Sequence, residues 1–361
     1  MAVLLLLGSA GVYALRVGVK PVVPVHMAAI LSLSGSGKLT GEDVLSGLQL
    51  AVTQLNRKGG IQGRPVTLHI KDSATDTEQA KQALVELEQK ISPLIYFTNF
   101  SRISLALAPL AGDYQVPLMG LVTSAPSLSQ QNRWSFRFFT DAQEECRVAR
   151  LSMHMEHQHR FSILYLDDPY GRSVVEACQA QQSKSLVMDK AYPFPPKTKN
   201  FGPYLDVLDP HEPLYVLGFI SYVKIILQQL KKRGHQGAIY TGAGSVLAIQ
   251  AGIGGFNEVR LSLPAMYNPQ FSYAKPVRLA YQKAYQRPMS HYAANGHEAV
   301  RLVSGLLKHT TISRGHLRAR LNEGFIFPSL FGSLHAIAGS RDINIPLLPA
   351  RHKEGSILFL Q

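Results

Sequence analysis

The stretch VHMAAILSLSGSGKLTGEDVLSGLQLAVTQLNRKGG, residues 25–60, decides the fold of this chain. Its apolar opening, Val25–Leu33, predicts a buried strand, and the glycine- and serine-rich residues 34–37 predict a loop after it. Apolar residues then recur at helical spacing over residues 44–55, and Gly59-Gly60 end the helix because glycine adopts the left-handed conformation at low cost. A strand, a loop and a helix in this order are the opening unit of an α/β fold.

The same alternation of apolar runs and amphipathic helices continues along the chain and restarts after residue 140. Apolar runs predict strands at 66–72, 94–97, 117–122, 161–166, 214–218 and 238–240. Helical patterns occupy 104–114, 144–156, 171–183, 223–230, 277–285 and 295–307, and the tail at 331–361 is extended and interrupted by prolines. Repeated strand–helix order predicts two parallel sheets of similar size, each with helices on both faces.

Two threonines are predicted to cap helices. Thr40-x-x-Asp43 and Thr75-x-x-Glu78 both resemble the capping box, in which the hydroxyl accepts a free backbone N–H of the first turn. We therefore expect helices to begin just after Thr40 and just after Thr75.

Length and charge exclude several classes of protein. The chain has 361 residues, which suggests about two domains, and its 37 Lys and Arg against 24 Asp and Glu give a net charge of +13. No zinc-finger spacing, RNA-recognition signature or long basic helix accompanies this charge, so we expect a basic surface and no nucleic-acid partner.

The only two cysteines, Cys146 and Cys178, lie in separate helical patterns, and we expect them not to form a disulfide.

The N-terminal residues 1–24 resemble a secretory signal and leader. Val3–Ala14 is apolar and too short for an ordinary membrane span, and Val12-Tyr13-Ala14 resembles a cleavage site, although no basic residue precedes Arg16. We expect a periplasmic or secreted protein; a buried strand and a shortened N-terminus stay open as alternatives.

The catalytic and cofactor motifs in the sequence are incomplete. Ser36-Gly37-Lys38 lacks the other residues of a phosphate-binding loop, and Gly242-Ala243-Gly244 lacks the third glycine of a dinucleotide site. His154, Glu156, His157 and His159 are dense enough to suggest a metal, but a solvated helix end is the simpler interpretation. We expect no metal and no cofactor, and an enzyme is the weaker class.

The segment Asn56-x-x-Gly-Gly-Ile-x-Gly-Arg64 and the strand-end sequence Asp167-Asp168-Pro169-Tyr170-Gly171 carry a family resemblance. They resemble branched-chain amino acid-type periplasmic binding proteins, the solute receptors of ABC importers. The resemblance implies an α/β, two-lobed type 1 periplasmic binding protein fold, in which each lobe is a parallel sheet flanked by helices and hinge crossovers join the lobes. It implies lobe one at 25–140 plus 269–334 and lobe two at 141–268 plus 335–361.

The resemblance also implies a ligand site in the cleft between the lobes. Ser101, the backbone at Val122, and the hydroxyls of Thr123 and Ser124 would hold a ligand carboxylate, at strand ends and a helix start that suit an anion. Tyr170 would close over the ligand, and Phe219, Ser36 and Gly244 complete the implied set, with Arg102 as a candidate for added positive charge. Amino-acid binders of the family carry a carboxylate for the ligand ammonium where this chain has Gly244, which puts an ordinary α-amino acid in doubt.

These residues support two function hypotheses above an enzyme. The first is an extracytoplasmic solute-binding protein that captures a small amino acid-like, carboxylate or amide ligand and delivers it to an ABC permease in the membrane. The second is a ligand-sensing or partner-binding module of the same fold with a degenerate pocket. A Rossmann-like enzyme is the third, and the incomplete glycine motifs argue against it.

Overall fold

Two mainly parallel sheets, each covered by helices on both faces, form the two lobes of the chain. The computed structural model describes residues 22–243, 258–354 and 356–360. The strands are β1 Val25–Leu31, β2 Val66–Asp72, β3 Tyr96–Asn99, β4 Leu118–Leu121, β5 Ser135–Phe138, β6 Arg160–Leu166, β7 Val187–Phe194, β8 Leu214–Leu217, β9 Ile239–Thr241, β10 Glu258–Pro264, β11 Phe325–Ser329, β12 Gly332–Ala336, β13 Asp342–Ile343, β14 Leu347–Lys353 and β15 Ser356–Phe359. The helices are α1 Lys38–Arg57, α2 Thr77–Lys90, α3 Ser101–Asp113, α4 Ser127–Gln131, α5 Ala142–Met155, α6 Pro169–Ala180, α7 Gly202–Leu205, α8 Ile220–Lys232, α9 Lys275–Tyr285, α10 His291–Leu306 and α11 Arg314–Asn322.

The order of the strands shows how the chain divides. The first sheet runs β13-β5-β4-β3-β1-β2 and is parallel throughout. The second runs β15-β14-β10-β9-β8-β6-β7, in which β6 to β10 are parallel and the tail strands β14 and β15 are antiparallel. The predicted α/β class, with parallel sheets flanked by helices in two lobes, is confirmed.

The chain passes between the sheets in three places. The crossings lie at 139–141, 265–274 and 344–346. The third crossing comes later than the expected boundary near 335, because β13 pairs with β5 at the edge of the first sheet. Thr140 ties two crossings together, since its hydroxyl donates to the carbonyl oxygen of Ile345 at 2.8 Å.

Both predicted threonine caps are wrong. Helix α1 begins at Lys38, so Thr40 lies inside its first turn. Helix α2 is capped by Asp76, whose carboxylate accepts the backbone N–H groups of Glu78 and Gln79. A carboxylate is the stronger acceptor for these groups and also complements the positive end of the helix.

Strand β7 was not predicted, because Pro193 lies within it and Pro195 and Pro196 follow it directly. It pairs only with β6 and forms the edge of the second sheet, where Pro193 need not donate to a further strand. Helix α11 and the hairpin of β11 and β12 were also not predicted, and they extend lobe one.

Cys146 and Cys178 form a disulfide, so the expectation of two free thiols is wrong. Helices α5 and α6 lie on the same face of the second sheet, and both cysteines are buried in the apolar core between them. Separate helices in the sequence thus become neighbours in space, with the two Cα atoms 5.5 Å apart.

No helix within the described residues is both long enough and apolar enough to cross a membrane. The signal-like stretch Val3–Ala14 lies outside the described residues, as does Gly244.

Candidate ligand-binding cleft

A cavity lies between the lobes, at the carboxyl ends of strands from both sheets. Its volume is about 60 Å³. Ligands of α/β sheets bind at this end of the strands because the loops and helix starts there supply unpaired polar groups. The lining residues are Thr40, Phe100, Ser101, Val122, Ser124, Phe139, Thr140, Glu145, Asp168, Tyr170, Val216, Gly218, Phe219, Ile220, Thr241, Gly242, Ala243, Pro264, His291, Tyr292 and Leu347.

Ser101 is the first residue of α3 and lies at the lobe-one wall of this cavity. It is 1% exposed, and its hydroxyl accepts the backbone N–H of Ala125 at 3.2 Å. The first backbone N–H groups of a helix have no partner within the helix, and the helix dipole adds positive potential there. This wall therefore suits the carboxylate of a ligand.

Two cavity residues adopt strained backbone conformations. Phe100 precedes α3 with φ of 66°, and Val122 follows β4 with φ of 51°. A left-handed conformation costs about 1–3 kcal/mol for residues of this kind and is concentrated at functional sites. Asn295 holds Val122 in place by accepting its backbone N–H at 3.3 Å. Strained residues directly after two adjacent strands therefore mark this wall as a candidate functional site.

Ser124 and Thr123 take different positions. Ser124 lines the cavity, and its hydroxyl has no hydrogen-bond partner among the described residues. Thr123 is fully buried, and its hydroxyl is held by Ser104 at 2.9 Å and by the carbonyl of Leu121 at 3.2 Å. The structure thus brings Ser124 to the cavity and leaves Thr123 in the core of lobe one.

An aromatic pair joins the lobes and lines both this cavity, called the inner cavity below, and a second one, called the outer cavity. The rings of Phe100 and Phe219 have centroids 4.5 Å apart, although one belongs to lobe one and the other to lobe two. Ser36 lies beyond this pair in the outer cavity, where its carbonyl accepts the hydroxyl of Ser221 at 3.4 Å. Arg102 also lines the outer cavity and donates to the carbonyl of Thr75, so it does not reach the inner one.

Glu145 is the inner-cavity residue that sequence reasoning missed. Its carboxylate accepts the hydroxyl of Tyr170 at 2.7 Å, and the side chain is buried. Burial, opposed by that hydrogen bond, raises the pKa of Glu145 to about 7. Nothing in the sequence separates Glu145 from its neighbour Glu144, which is partly exposed and pairs with Arg147.

The other ionisable groups of the cavity are Asp168 and His291. Asp168 caps α6 by accepting the backbone N–H of Gly171 at 3.0 Å, and burial raises its pKa to about 6. His291 is 1% exposed and paired through Nδ1 with Tyr267, and burial lowers its pKa to about 3, so it is neutral at physiological pH. The described lining residues therefore include two acids and neither Lys nor Arg.

Glu156, at the histidine-rich end of α5, belongs to an ion-pair cluster. Glu156 accepts the hydroxyl of Tyr240 at 2.7 Å and pairs with Arg260 and Arg351. Within the described ranges no group of three or more His, Cys, Asp or Glu residues could hold a metal ion.

The chain belongs to the periplasmic binding protein family, whose model matches residues 24–344. The predicted resemblance to branched-chain amino acid-type binding proteins is confirmed. "Leu/Ile/Val-binding protein homolog 7" of Brucella abortus is 24% identical over 259 residues, which are 66% of this chain and 63% of that protein. The "Chemotactic signal transduction system substrate-binding protein BasB" of Halobacterium salinarum is 28% identical over 199 residues, 52% of this chain and 48% of that protein. The matches thus span less than two thirds of the length of either relative.

Solved structures show the same fold. The branched-chain amino acid transporter substrate binding protein LivJ of Streptococcus pneumoniae, in complex with isoleucine, superposes with a TM-score of 0.81 at 18% identity, over 93% of this chain and 99% of that one. A solute binding protein of an ABC transporter from R. palustris, in complex with benzoate, superposes with a TM-score of 0.84 at 15% identity. The superposition covers 93% of this chain and 95% of that one. At these identities the likeness establishes the two-lobed fold.

Proposed function

We propose that this chain is the extracytoplasmic solute-binding protein of an ABC importer and captures a small carboxylate-bearing ligand in the cleft between its lobes. The observation that carries the proposal is the lobe-one wall, where Ser101 at the start of α3 and the unpartnered hydroxyl of Ser124 face one cavity. Family membership supports solute binding and not catalysis. One solved structure of the same fold holds isoleucine, and another holds benzoate.

The proposed mechanism is hinge closure. Lobe one supplies the carboxylate wall, and lobe two supplies Tyr170 and Phe219, so a ligand between them makes its full set of contacts only when the lobes approach. Contacts formed only in the closed state shift the population toward it. The 4.5 Å contact between Phe100 and Phe219 is the kind of interlobe contact that closure produces. The closed form would then be delivered to the membrane permease.

Replacing the lobe-one hydroxyls is expected to weaken ligand binding. Each of Ser101→Ala and Ser124→Ala removes a hydroxyl that would donate to the ligand carboxylate, and a hydrogen bond to a charged group is worth about 1.5–3 kcal/mol. We therefore expect affinity for the ligand to fall about tenfold or more in each variant. Isothermal titration with L-leucine and with benzoate measures this.

Ser127→Ala is the matched control, because Ser127 is an exposed residue three positions after Ser124 and does not line the cavity. It should bind as the wild type does. Equal affinity of the wild type, the two cavity variants and the control would contradict the proposed carboxylate wall.

A sensory role is the second candidate. It is favoured by the similarity to a chemotactic substrate-binding protein, whose name couples binding to signal transduction. Both roles use the same cleft and closure, and they differ in the membrane partner. Affinity purification of the ligand-loaded chain from membranes distinguishes them: recovery of a permease supports import, and recovery of a signalling receptor supports sensing.

A further inference from the structure

The inner cavity contains a carboxylate whose described neighbours include no cation. Glu145 lies in the first turn of α5, is 5% exposed and accepts a hydrogen bond from the hydroxyl of Tyr170. The buried hydroxyl of Tyr215 lies beside the same carboxylate and also interacts with it. Hydroxyl groups stabilise a buried carboxylate only in part, because they carry no full positive charge.

Gly242 makes room for this carboxylate. A Cβ atom at Gly242 would lie 2.3 Å from Oε1 of Glu145, closer than two such atoms can approach. The side chain of Glu145 therefore reaches the start of the turn after β9, the place where a ligand ammonium was expected to find its partner. Neither Gly242 nor Ala243 carries an acid, and helix α5 supplies one from the other side.

The charges around the cavity point to the same kind of ligand group. The described lining contains the acids Glu145 and Asp168 and neither Lys nor Arg, and His291 is neutral. Asp168 already accepts a backbone N–H at the start of α6. Glu145 also lies in a first helical turn, but no cation pairs with it among the described residues. The rings of Phe100 and Phe219 also line this cavity, and aromatic faces attract cations.

We propose that Glu145 is the specificity-determining residue that binds a positively charged amine of the ligand, taking the place of a carboxylate in the turn after β9. The proposal rests on the proposed function, since it adds an amine to a ligand already held by its carboxylate. It predicts that the cleft selects amino acids over carboxylic acids of the same shape that lack the amine.

The charged form of Glu145 lowers the stability of the unliganded protein, which agrees with a role in ligand binding. Its pKa is about 7 in the fold and about 4.5 in an unfolded chain, so the folded state binds an extra proton between these values. Stability therefore falls as the pH rises through this range, and the charged form destabilises the empty fold. The neighbouring Tyr170, Tyr215 and Tyr292 have pKa values raised by burial and stay neutral. Asp141, at the start of α5, adds negative potential.

The decisive experiment compares ligands with and without the amine. Isothermal titration at pH 8 would use L-leucine against 4-methylpentanoate and L-phenylalanine against 3-phenylpropanoate, with the wild type, Glu145→Gln and Glu144→Gln. For whichever of the two pairs the wild type binds, we expect the amino acid to bind more tightly than its amine-free counterpart. In Glu145→Gln we expect the affinity for the amino acid to fall about 100-fold or more. Removing one partner of a buried ion pair leaves the charge of the other buried and unpaired. The amine-free acid should change less than threefold, and Glu144→Gln, altered at the adjacent ion-paired residue, should match the wild type.

Two results would overturn this assignment and leave carboxylate capture intact. One is amine-free binding as tight as that of the amino acid, and the other is an equal loss of both ligands in Glu145→Gln. If benzoate binds and none of the four probes does, the amine assignment fails and carboxylate capture stands. If benzoate does not bind either, the proposed function fails as well.

A measurement without ligand checks whether Glu145 is merely structural. In urea unfolding of the empty protein, Glu145→Gln should be more stable than the wild type at pH 8 and close to it at pH 5, where Glu145 is protonated. Asp168, with its pKa of about 6, titrates in both proteins, so the comparison cancels its contribution. A variant less stable than the wild type at pH 8 would show that the carboxylate holds the fold together, and would overturn the proposal.

Discussion

Replacing both cysteines, Cys146→Ser with Cys178→Ser, should lower the free energy of unfolding by about 3–4 kcal/mol. The two residues are 32 positions apart, and a crosslink of this span removes that much conformational freedom from the unfolded chain. The same bond joins α5 to α6, the helices that carry Glu145 and Tyr170. We therefore also expect weaker ligand binding, because the hydrogen bond between those two side chains depends on how the helices are held.

Urea unfolding without reductant measures the stability change. Wild-type protein treated with dithiothreitol serves as the control, since breaking the same bond chemically should reproduce the loss in the double variant. A loss of under 1 kcal/mol in both would contradict a stabilising role for the disulfide.

Gly47→Ala should lower the free energy of unfolding by about 3 kcal/mol, near the upper end for added volume in a packed interior. Gly47 lies where α1 crosses α10, and a Cβ atom there would be 1.8 Å from the carbonyl oxygen of Ala293. On the facing helix, a Cβ at Gly296 would be 2.4 Å from the carbonyl oxygen of Val44. The helices touch backbone to backbone, so neither clash can be relieved by rotating a side chain.

Gly305→Ala is the control for this effect, because Gly305 lies in the last turn of α10 with no atom near its Cβ position. Alanine there should be neutral or stabilise by up to about 1 kcal/mol, as alanine is the better helix former. Thermal unfolding of the two variants compares them directly. Similar stabilities for Gly47→Ala and Gly305→Ala would show that the close helix crossing is absent in solution.

Much of the fold could be predicted from local patterns. Strand Val66–Asp72 alternates apolar and polar residues and was placed at its observed bounds, because the period of two is a direct consequence of strand geometry. Features that depend on distant partners were not predictable in this way. Strand β7 is formed by pairing with β6 despite Pro193, and the disulfide depends on how α5 and α6 pack.

The site residues also differ in whether local sequence patterns predict them. Ser101 and Ser124 follow strand ends, where sheet topology itself predicts a ligand wall, and the structure places both in one cavity. Glu145 could not be predicted, because its role depends on Gly242, nearly a hundred residues away in the chain. The net charge of +13 was also uninformative about the ligand, since the described lining of the inner cavity carries acids and no Lys or Arg.

The most direct test of the account is a thermal-unfolding screen of the wild type with the standard amino acids, their amine-free counterparts and benzoate. A ligand at 100 times its Kd stabilises the folded protein by about 2.7 kcal/mol. We predict that at least one small carboxylate raises the Tm, that its amine-free counterpart raises it less, and that Ser101→Ala reduces the shift. A cooperative unfolding transition that none of these compounds moves would contradict ligand capture in the cleft.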